Sequence, residues 1–133
     1  MTNLYLAIPC YNEEEGLEHF VLETNKVIDT IPNYSFRYIL VNDGSRDRTW
    51  EIIEERNQRD NYTKGLKLAA NAGHQNALLA GLEAVSDIVD ITVTIDADLQ
   101  DDVNAIEKMV DAYNSGADIV YGVRSDRSSD SAF

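Results

Sequence analysis

The feature that most constrains the fold of this chain is a regular exchange between two spacings of apolar residues. Short apolar or alternating runs, typical of strands, are followed by stretches with apolar residues every three or four positions, typical of helices. Five strand-like runs occur, each separated from the next by a helix-like stretch. The strands are predicted at residues 4–9, 36–41, 65–70, 91–95 and 118–123.

Short connections between these runs limit the possible folds. Strands that alternate with helices form a mostly parallel sheet with helices on both faces. The 133 residues suffice for one domain with a core and are too few for two comfortable ones. We therefore predict a single α/β domain over residues 1–133, with a Rossmann-like sheet.

Polar residues indicate where the helices begin. Asn12 followed by Glu15 fits a capping box for the first helix. Asp47 is a plausible cap for the second helix. The third and fourth helices are predicted at residues 75–85 and 105–113.

The composition disfavours several classes of partner. Eleven basic and 24 acidic residues give a net charge of −13, which argues against nucleic acid or an anionic membrane surface. A phosphate ligand would need a cation or backbone N–H groups between itself and the protein. Cys10 is the only cysteine, so no internal disulfide can form, and its apolar neighbourhood predicts a small core residue rather than a nucleophile.

The sequence shows no signal peptide. It also has no apolar run approaching the roughly 20 residues that span a bilayer. We therefore expect a cytoplasmic chain, which would meet the cytoplasmic face of a membrane only through further segments expected downstream of residue 133.

Polar clusters follow each predicted strand. Ligands of open α/β sheets bind outside the carboxyl ends of the strands, so clusters on one edge predict one site. Tyr11 can stack on a ring and Glu13 can accept a hydrogen bond. Asp43 can accept from a base N–H or a sugar hydroxyl. Ser45 is interpreted as a turn residue, and His74 as a polar loop residue rather than a catalytic histidine.

An acidic pair follows the fourth predicted strand. Asp96 and Asp98 flank Ala97, which in an extended segment puts both carboxylates on one side. Such oxygen donors suit Mg²⁺ or Mn²⁺, and Gln100 continues the alternation. A solvated acidic loop is the alternative, but the position at a strand end favours a metal site. An EF-hand is excluded because Asp101 stands where that loop requires glycine.

Five motifs occur in an order that is characteristic of one family. They are "IPCYNEEEGL", "VNDGSRDRT", "NAGHQNALLAGL", "DADLQDD" and "DIVYGVRSDR". Together they resemble family 2 glycosyltransferases with the GT-A fold over essentially the whole chain. The resemblance is strongest to the polyprenyl-phosphate sugar transferases, such as dolichol-phosphate mannose synthase and bactoprenol glucosyltransferases. Neither a "GxxxxGK" nor a "GxGxxG" motif is present, which weakens P-loop and classical dinucleotide-binding interpretations.

The resemblance implies a metal-dependent transfer of sugar, with inversion, from a UDP- or GDP-sugar to a polyprenyl phosphate or saccharide. The nucleotide-binding residues that it implies are Pro9, Tyr11, Glu13, Asp43, Asn71 and Asp96. The implied ligands of Mg²⁺ or Mn²⁺ are Asp96, Asp98 and Gln100. Arg124 and Arg127 would approach the phosphate of donor or acceptor.

The chain departs from the family pattern at three places. Ala70 stands where relatives usually have arginine, and Asp102 and Val103 stand where they usually have two prolines. The catalytic base and the acceptor-binding segment are expected beyond Phe133, so the domain would be incomplete at its C-terminus. Apolar surface exposed there would favour self-association.

Two alternatives to a transferase remain open. One is a nucleotide-sugar or metal-binding module without transfer activity in this chain. The other is a sugar nucleotidyltransferase, although the acidic "PCYNEEEG" stands where that class needs a glycine-rich basic loop.

Overall fold

A computed structural model describes residues 2–97 and 103–118 of the chain. Within these ranges four strands and four helices alternate. The strands are β1 (Thr2–Cys10), β2 (Tyr34–Asn42), β3 (Thr63–Lys67) and β4 (Ile91–Thr94). The helices are α1 (Leu17–Ile28), α2 (Thr49–Arg59), α3 (His74–Val85) and α4 (Ala105–Asn114). The fifth predicted strand, apart from Asp118, lies outside the described residues.

The four strands form one parallel sheet in the order β3-β2-β1-β4. β1 and β2 pair along their full length, from Thr2 opposite Tyr34 to Cys10 opposite Asn42. The chain first builds the sheet outward through β2 and β3, and then crosses to the other side of β1 to add β4. Such a change of direction opens a crevice at the carboxyl ends of the two strands involved.

Helices cover both faces of the sheet, as the sequence predicted. The interior of β1, from Leu4 to Ile8, is buried, which is typical of a parallel strand that is covered on both faces. On one face, β1 and β2 pack against the apolar sides of α1, α2 and α4 through Phe20, Ile53, Ile106 and Val110. On the other face, Ala7, Ile39 and Val41 pack against Ala77 and Val85 of α3.

The third strand begins earlier and ends earlier than the sequence predicted. It was expected at residues 65–70 and lies at Thr63–Lys67. The carboxylate of Asp60 accepts the N–H groups of Tyr62 (3.1 Å) and Thr63 (2.9 Å). Because the strand begins with the polar residues Thr63 and Lys64, the pattern of apolar residues does not reveal its start.

The predicted capping box at Asn12 is wrong. Helix α1 begins at Leu17 after Gly16, and no side chain caps it. Asn12 instead has a positive φ of 53°, and its amide oxygen accepts the N–H of Arg46 at 2.8 Å. The side chain of Asn12 therefore joins two loops and leaves the helix terminus to the backbone.

The predicted cap of the second helix is displaced by one residue. Arg48 occupies the N-cap position of α2, and its side chain makes no capping hydrogen bond. Asp47, one residue earlier, accepts the N–H of Thr49 at 2.9 Å. Asp47 therefore satisfies a donor in the first turn of α2, as a capping residue does.

The turn after β2 contains a glycine that no other residue can replace without strain. Gly44 has a φ of +69°, and a Cβ atom added to it would lie 2.3 Å from the backbone N of Asn71. Gly116 also has a positive φ, +110°, but an added Cβ would meet nothing within 4 Å. The two glycines therefore separate the effect of backbone strain from the effect of a clash.

We expect Gly116→Ala to lower the free energy of unfolding by about 1 kcal/mol, from left-handed strain alone. Gly44→Ala should lower it by on the order of 2 kcal/mol more, because the neighbouring backbone has to move. Urea denaturation of both variants measures the difference. Equal losses of stability in the two variants would show that the backbone at Gly44 does not lie against the backbone of Asn71 as described.

Candidate functional site

A cleft of about 320 Å³ lies at the carboxyl edge of the sheet. Its volume falls within the range of small-molecule sites, about 300–1,000 Å³. All six residues predicted to bind nucleotide line it, namely Pro9, Tyr11, Glu13, Asp43, Asn71 and Asp96. Residues that are far apart in the sequence therefore meet in one place.

Three loops and the end of β4 build the cleft. The first loop (residues 11–16) connects β1 to α1, the second loop (43–48) connects β2 to α2, and the third loop (68–73) connects β3 to α3. Because β2 lies between β1 and β3, the second loop lies between the other two and bonds to both.

Asp43 connects the second loop to the third. It is only 3% exposed, and its Oδ1 accepts the N–H of Ala72 at 2.7 Å. The side-chain amide of Asn71 donates to the backbone oxygen of Asp43 at 3.1 Å and to its Oδ2 at 3.4 Å. A carboxylate has about four lone-pair sites, so Asp43 can accept from a ligand in the cleft while it holds the third loop.

Side chains of the second loop and of Thr49, the first residue of α2, also hold the first loop. The N–H of Asn12 donates to Ser45 Oγ (2.9 Å), and the N–H of Glu13 donates to Thr49 Oγ1 (2.8 Å). Next to these two residues, Tyr11 is 45% exposed. Its ring is therefore accessible for stacking at the mouth of the cleft.

Asp47 contributes to the same contact between loops. Its Oδ2 accepts the N–H of Glu14 at 3.2 Å, and its Oδ1 accepts from the N–H and the hydroxyl of Thr49. Burial acts to raise the pKa of the Asp47 carboxyl, but the hydrogen bonds from Thr49 and Glu14 outweigh it and hold the pKa below its usual value. The folded protein therefore favours the carboxylate form of Asp47.

His74 is a lining residue that the sequence did not reveal. It was interpreted as a polar loop residue, but it is the first residue of α3 and lies in the cleft. Its Nε2 is 3.3 Å from Oδ1 of Asp96, and both side chains are about half exposed. The signal that could have identified it is its position directly after the third loop, on the edge where the other lining residues were predicted.

Cys10 is buried at the base of the cleft. Burial raises the pKa of its thiol, and the carboxylate of Glu13 raises it further. A protonated, buried thiol is a poor nucleophile. This confirms the interpretation of Cys10 as a core residue.

Several predicted site residues lie outside the described residues, namely Asp98, Gln100, Arg124 and Arg127. In the ranges that the structure covers, no cluster of three or more histidine, cysteine, aspartate or glutamate side chains is arranged to hold a metal ion. The same ranges contain no helix of the length and hydrophobicity required to cross a bilayer.

The cleft is acidic where it is described. Glu13, Asp43 and Asp96 contribute carboxylates to its wall, whereas no described lysine or arginine lines it. A diphosphate would be repelled here unless a cation or backbone donors intervened. The carboxylates can accept hydrogen bonds from a base or a sugar. The negative charge of a phosphate would need a cation or backbone N–H groups as its partner.

Comparison with known proteins gives a consistent result. Residues 5–133 match the sequence model of glycosyl transferase family 2. The chain is 41% identical over 135 residues to the uncharacterized glycosyltransferase YkoT of Bacillus subtilis, covering 98% of this chain and 40% of that protein. It is 35% identical over 125 residues to the bactoprenol glucosyl transferase of Shigella phage SfX, covering 94% of this chain and 40% of that protein. The chain thus spans about two fifths of the length of these relatives.

Solved structures show the same fold. TarS 1–349 of S. aureus in complex with UDP-GlcNAc superposes with a TM-score of 0.65 at 21% identity, covering 86% of this chain and 31% of that one. The complex of TarS 1–349 with UDP gives a TM-score of 0.64 at 17% identity, covering 95% and 40%. This likeness, which concerns the fold alone, confirms the predicted GT-A type of α/β sheet. Since the family model matches all but the first four residues, the chain belongs to glycosyl transferase family 2.

Proposed function

We propose that this chain is the nucleotide-sugar-binding part of an enzyme that transfers a sugar to a polyprenyl phosphate. The observation that carries the proposal is the cleft in which three loops and the end of β4 bring together all six predicted nucleotide-binding residues. Membership of the family supports sugar transfer. Relatives named bactoprenol glucosyl transferase support the lipid acceptor.

The wall of the cleft offers contacts for the base and the ribose of a nucleoside diphosphate. Tyr11, which is partly exposed, would stack on the base. Asp43 would accept an N–H from the base, and Glu13 would accept from a ribose hydroxyl. The TarS complexes with UDP and UDP-GlcNAc support a uridine nucleotide as the first candidate.

The one proposed ligand that the structure describes, the carboxylate of Asp96, is of a type that fits a hard divalent cation. Asp96 presents a half-exposed carboxylate on the wall of the cleft, and Asp98 and Gln100 follow it in the sequence. We propose that these three residues hold Mg²⁺ or Mn²⁺, which prefer such oxygen ligands. When bound, the ion would supply the positive charge that a leaving diphosphate requires in this acidic cleft.

The transfer itself requires an acceptor oxygen and a leaving group on opposite sides of the sugar. We propose that an oxygen of the acceptor phosphate attacks the anomeric carbon, while the bond from that carbon to the diphosphate breaks. The configuration then inverts, and the nucleoside diphosphate leaves with the electron pair. Arg124 and Arg127 are proposed to approach a phosphate of donor or acceptor. Because polyprenyl phosphates are membrane lipids, the whole protein would act at the cytoplasmic face of a membrane.

The first prediction concerns the cation. UDP or GDP should bind more tightly with Mn²⁺ or Mg²⁺, and Asp98→Asn should remove most of this enhancement. A matched control is Asp87→Asn, which makes the same change in charge at an exposed position in the α3–β4 connection. Calorimetry with and without metal measures the effect. If the affinity for nucleotide were the same with and without metal in both the wild type and Asp98→Asn, the proposed metal site would be contradicted.

The second prediction concerns the base. Asp43→Asn retains an oxygen to accept the N–H of Ala72, but it replaces the other oxygen with a donor. Binding of nucleoside diphosphate should weaken by about 1–3 kcal/mol, the cost of an unpaired buried polar group. The loss should be the same with and without metal, because the contact is to the base. If Asp43→Asn bound nucleotide with normal affinity and unfolded in urea as the wild type does, Asp43 would not contact the base. Its role would then be only to hold the third loop.

A further inference from the structure

We propose that Ser45, Asp47 and Thr49 are positioning residues that set Tyr11 and Glu13 in the cleft without contacting the nucleotide. The inference rests on the proposed function, since it concerns the same nucleotide site. None of these three residues is among the described residues that line the cleft. Their effect on a ligand would therefore be transmitted through the first loop.

Three successive backbone N–H groups of the first loop donate to three side chains of one neighbouring segment. Asn12 donates to Ser45 (2.9 Å), Glu13 to Thr49 (2.8 Å) and Glu14 to Asp47 (3.2 Å), always to a side-chain oxygen. Each of these pairs is separated by more than 30 residues in the sequence. The conformation of the first loop is thus fixed by side chains of the second loop and the start of α2.

Thr49 is the most constrained member of the set. Its side chain is fully buried, and its single hydroxyl proton is donated to Oδ1 of Asp47. The hydroxyl oxygen can therefore only accept, and it accepts the N–H of Glu13. Asp47 orients the hydroxyl, and the hydroxyl orients the loop.

Glu13 is held on both sides of its Cα atom. Its N–H donates to Thr49, while its carbonyl oxygen accepts the N–H of Leu17 at 2.9 Å, where α1 begins. One residue earlier, Asn12 keeps its positive φ of 53° with its amide oxygen bonded to the N–H of Arg46. Loss of the Thr49 hydroxyl would remove the acceptor of the Glu13 N–H, so we expect the side chain of Glu13 and the adjacent ring of Tyr11 to shift.

Three threonine variants of the 133-residue chain test the proposal. Thr49→Val removes the hydroxyl and keeps the shape, whereas Thr49→Ser keeps the hydroxyl. Thr24→Val is the matched control, because Thr24 is equally buried and its hydroxyl bonds only within α1, to the oxygen of Phe20. UDP and GDP binding is measured by calorimetry with Mn²⁺, and amide hydrogen exchange is measured at residues 12–14 without nucleotide.

We expect Thr49→Val to weaken nucleotide binding about tenfold, the equivalent of one hydrogen bond, and to accelerate exchange at Glu13. Thr49→Ser should restore both properties, and Thr24→Val should change neither. Unchanged binding and exchange in Thr49→Val, or an equal loss in Thr24→Val, would overturn the positioning role. If the wild-type chain bound neither UDP nor GDP, the proposed function would fail, and the exchange at Glu13 would still decide whether Thr49 holds the loop.

Discussion

The structure of the site depends on the parallel pairing of β1 with β2, which continues beyond the last residue of β2. The N–H of Asp43 donates to the carbonyl oxygen of Cys10 at 2.9 Å, so the two strands end at the same level. The first and second loops therefore leave the sheet side by side, within reach of each other's side chains. The contacts of the second loop with the third follow from the adjacent pairing of β2 with β3. Two adjacent hydrogen-bonded ladders, β1 with β2 and β2 with β3, thus place three of the four segments that form the cleft.

The distribution of charge in the cleft explains why an anionic ligand would need a cation here. Asp43 is buried, but N–H groups of the third loop compensate its carboxylate. Oδ1 of Asp96 lies 3.3 Å from Nε2 of His74 in the lining of the cleft. No described lysine or arginine lines the cleft to balance the charge of a diphosphate. The proposed cation therefore complements the structure electrostatically, and an empty cleft should discriminate against free phosphate.

Local patterns in the sequence were sufficient to predict the order of the eight described elements and the edge of the sheet on which the cleft lies. Tyr11, Asp43 and Asp96 could be grouped because parallel strands bring their carboxyl ends together, whereas Pro9 was indicated only by the family resemblance. The bonds between loops could not be predicted in this way. Asn12 resembles a helix cap when only Glu15 is considered, yet its partner, Arg46, is 34 residues away. A side chain that bonds to the backbone of a distant loop leaves no periodic signal, and neither does the contact between the side chains of His74 and Asp96.

The only tryptophan of the chain, Trp50, directly follows Thr49. Its half-buried ring lies against β3, where a Cβ atom on Gly65 would meet it at 3.2 Å. The ammonium group of Lys67 lies 5.7 Å from the centre of the ring, within the range of a cation–π contact. The indole thus belongs to the first turn of α2, which follows the second loop, and it packs against β3. The protein carries an intrinsic fluorophore at this junction, so its emission reports the environment of the start of α2 without an added label.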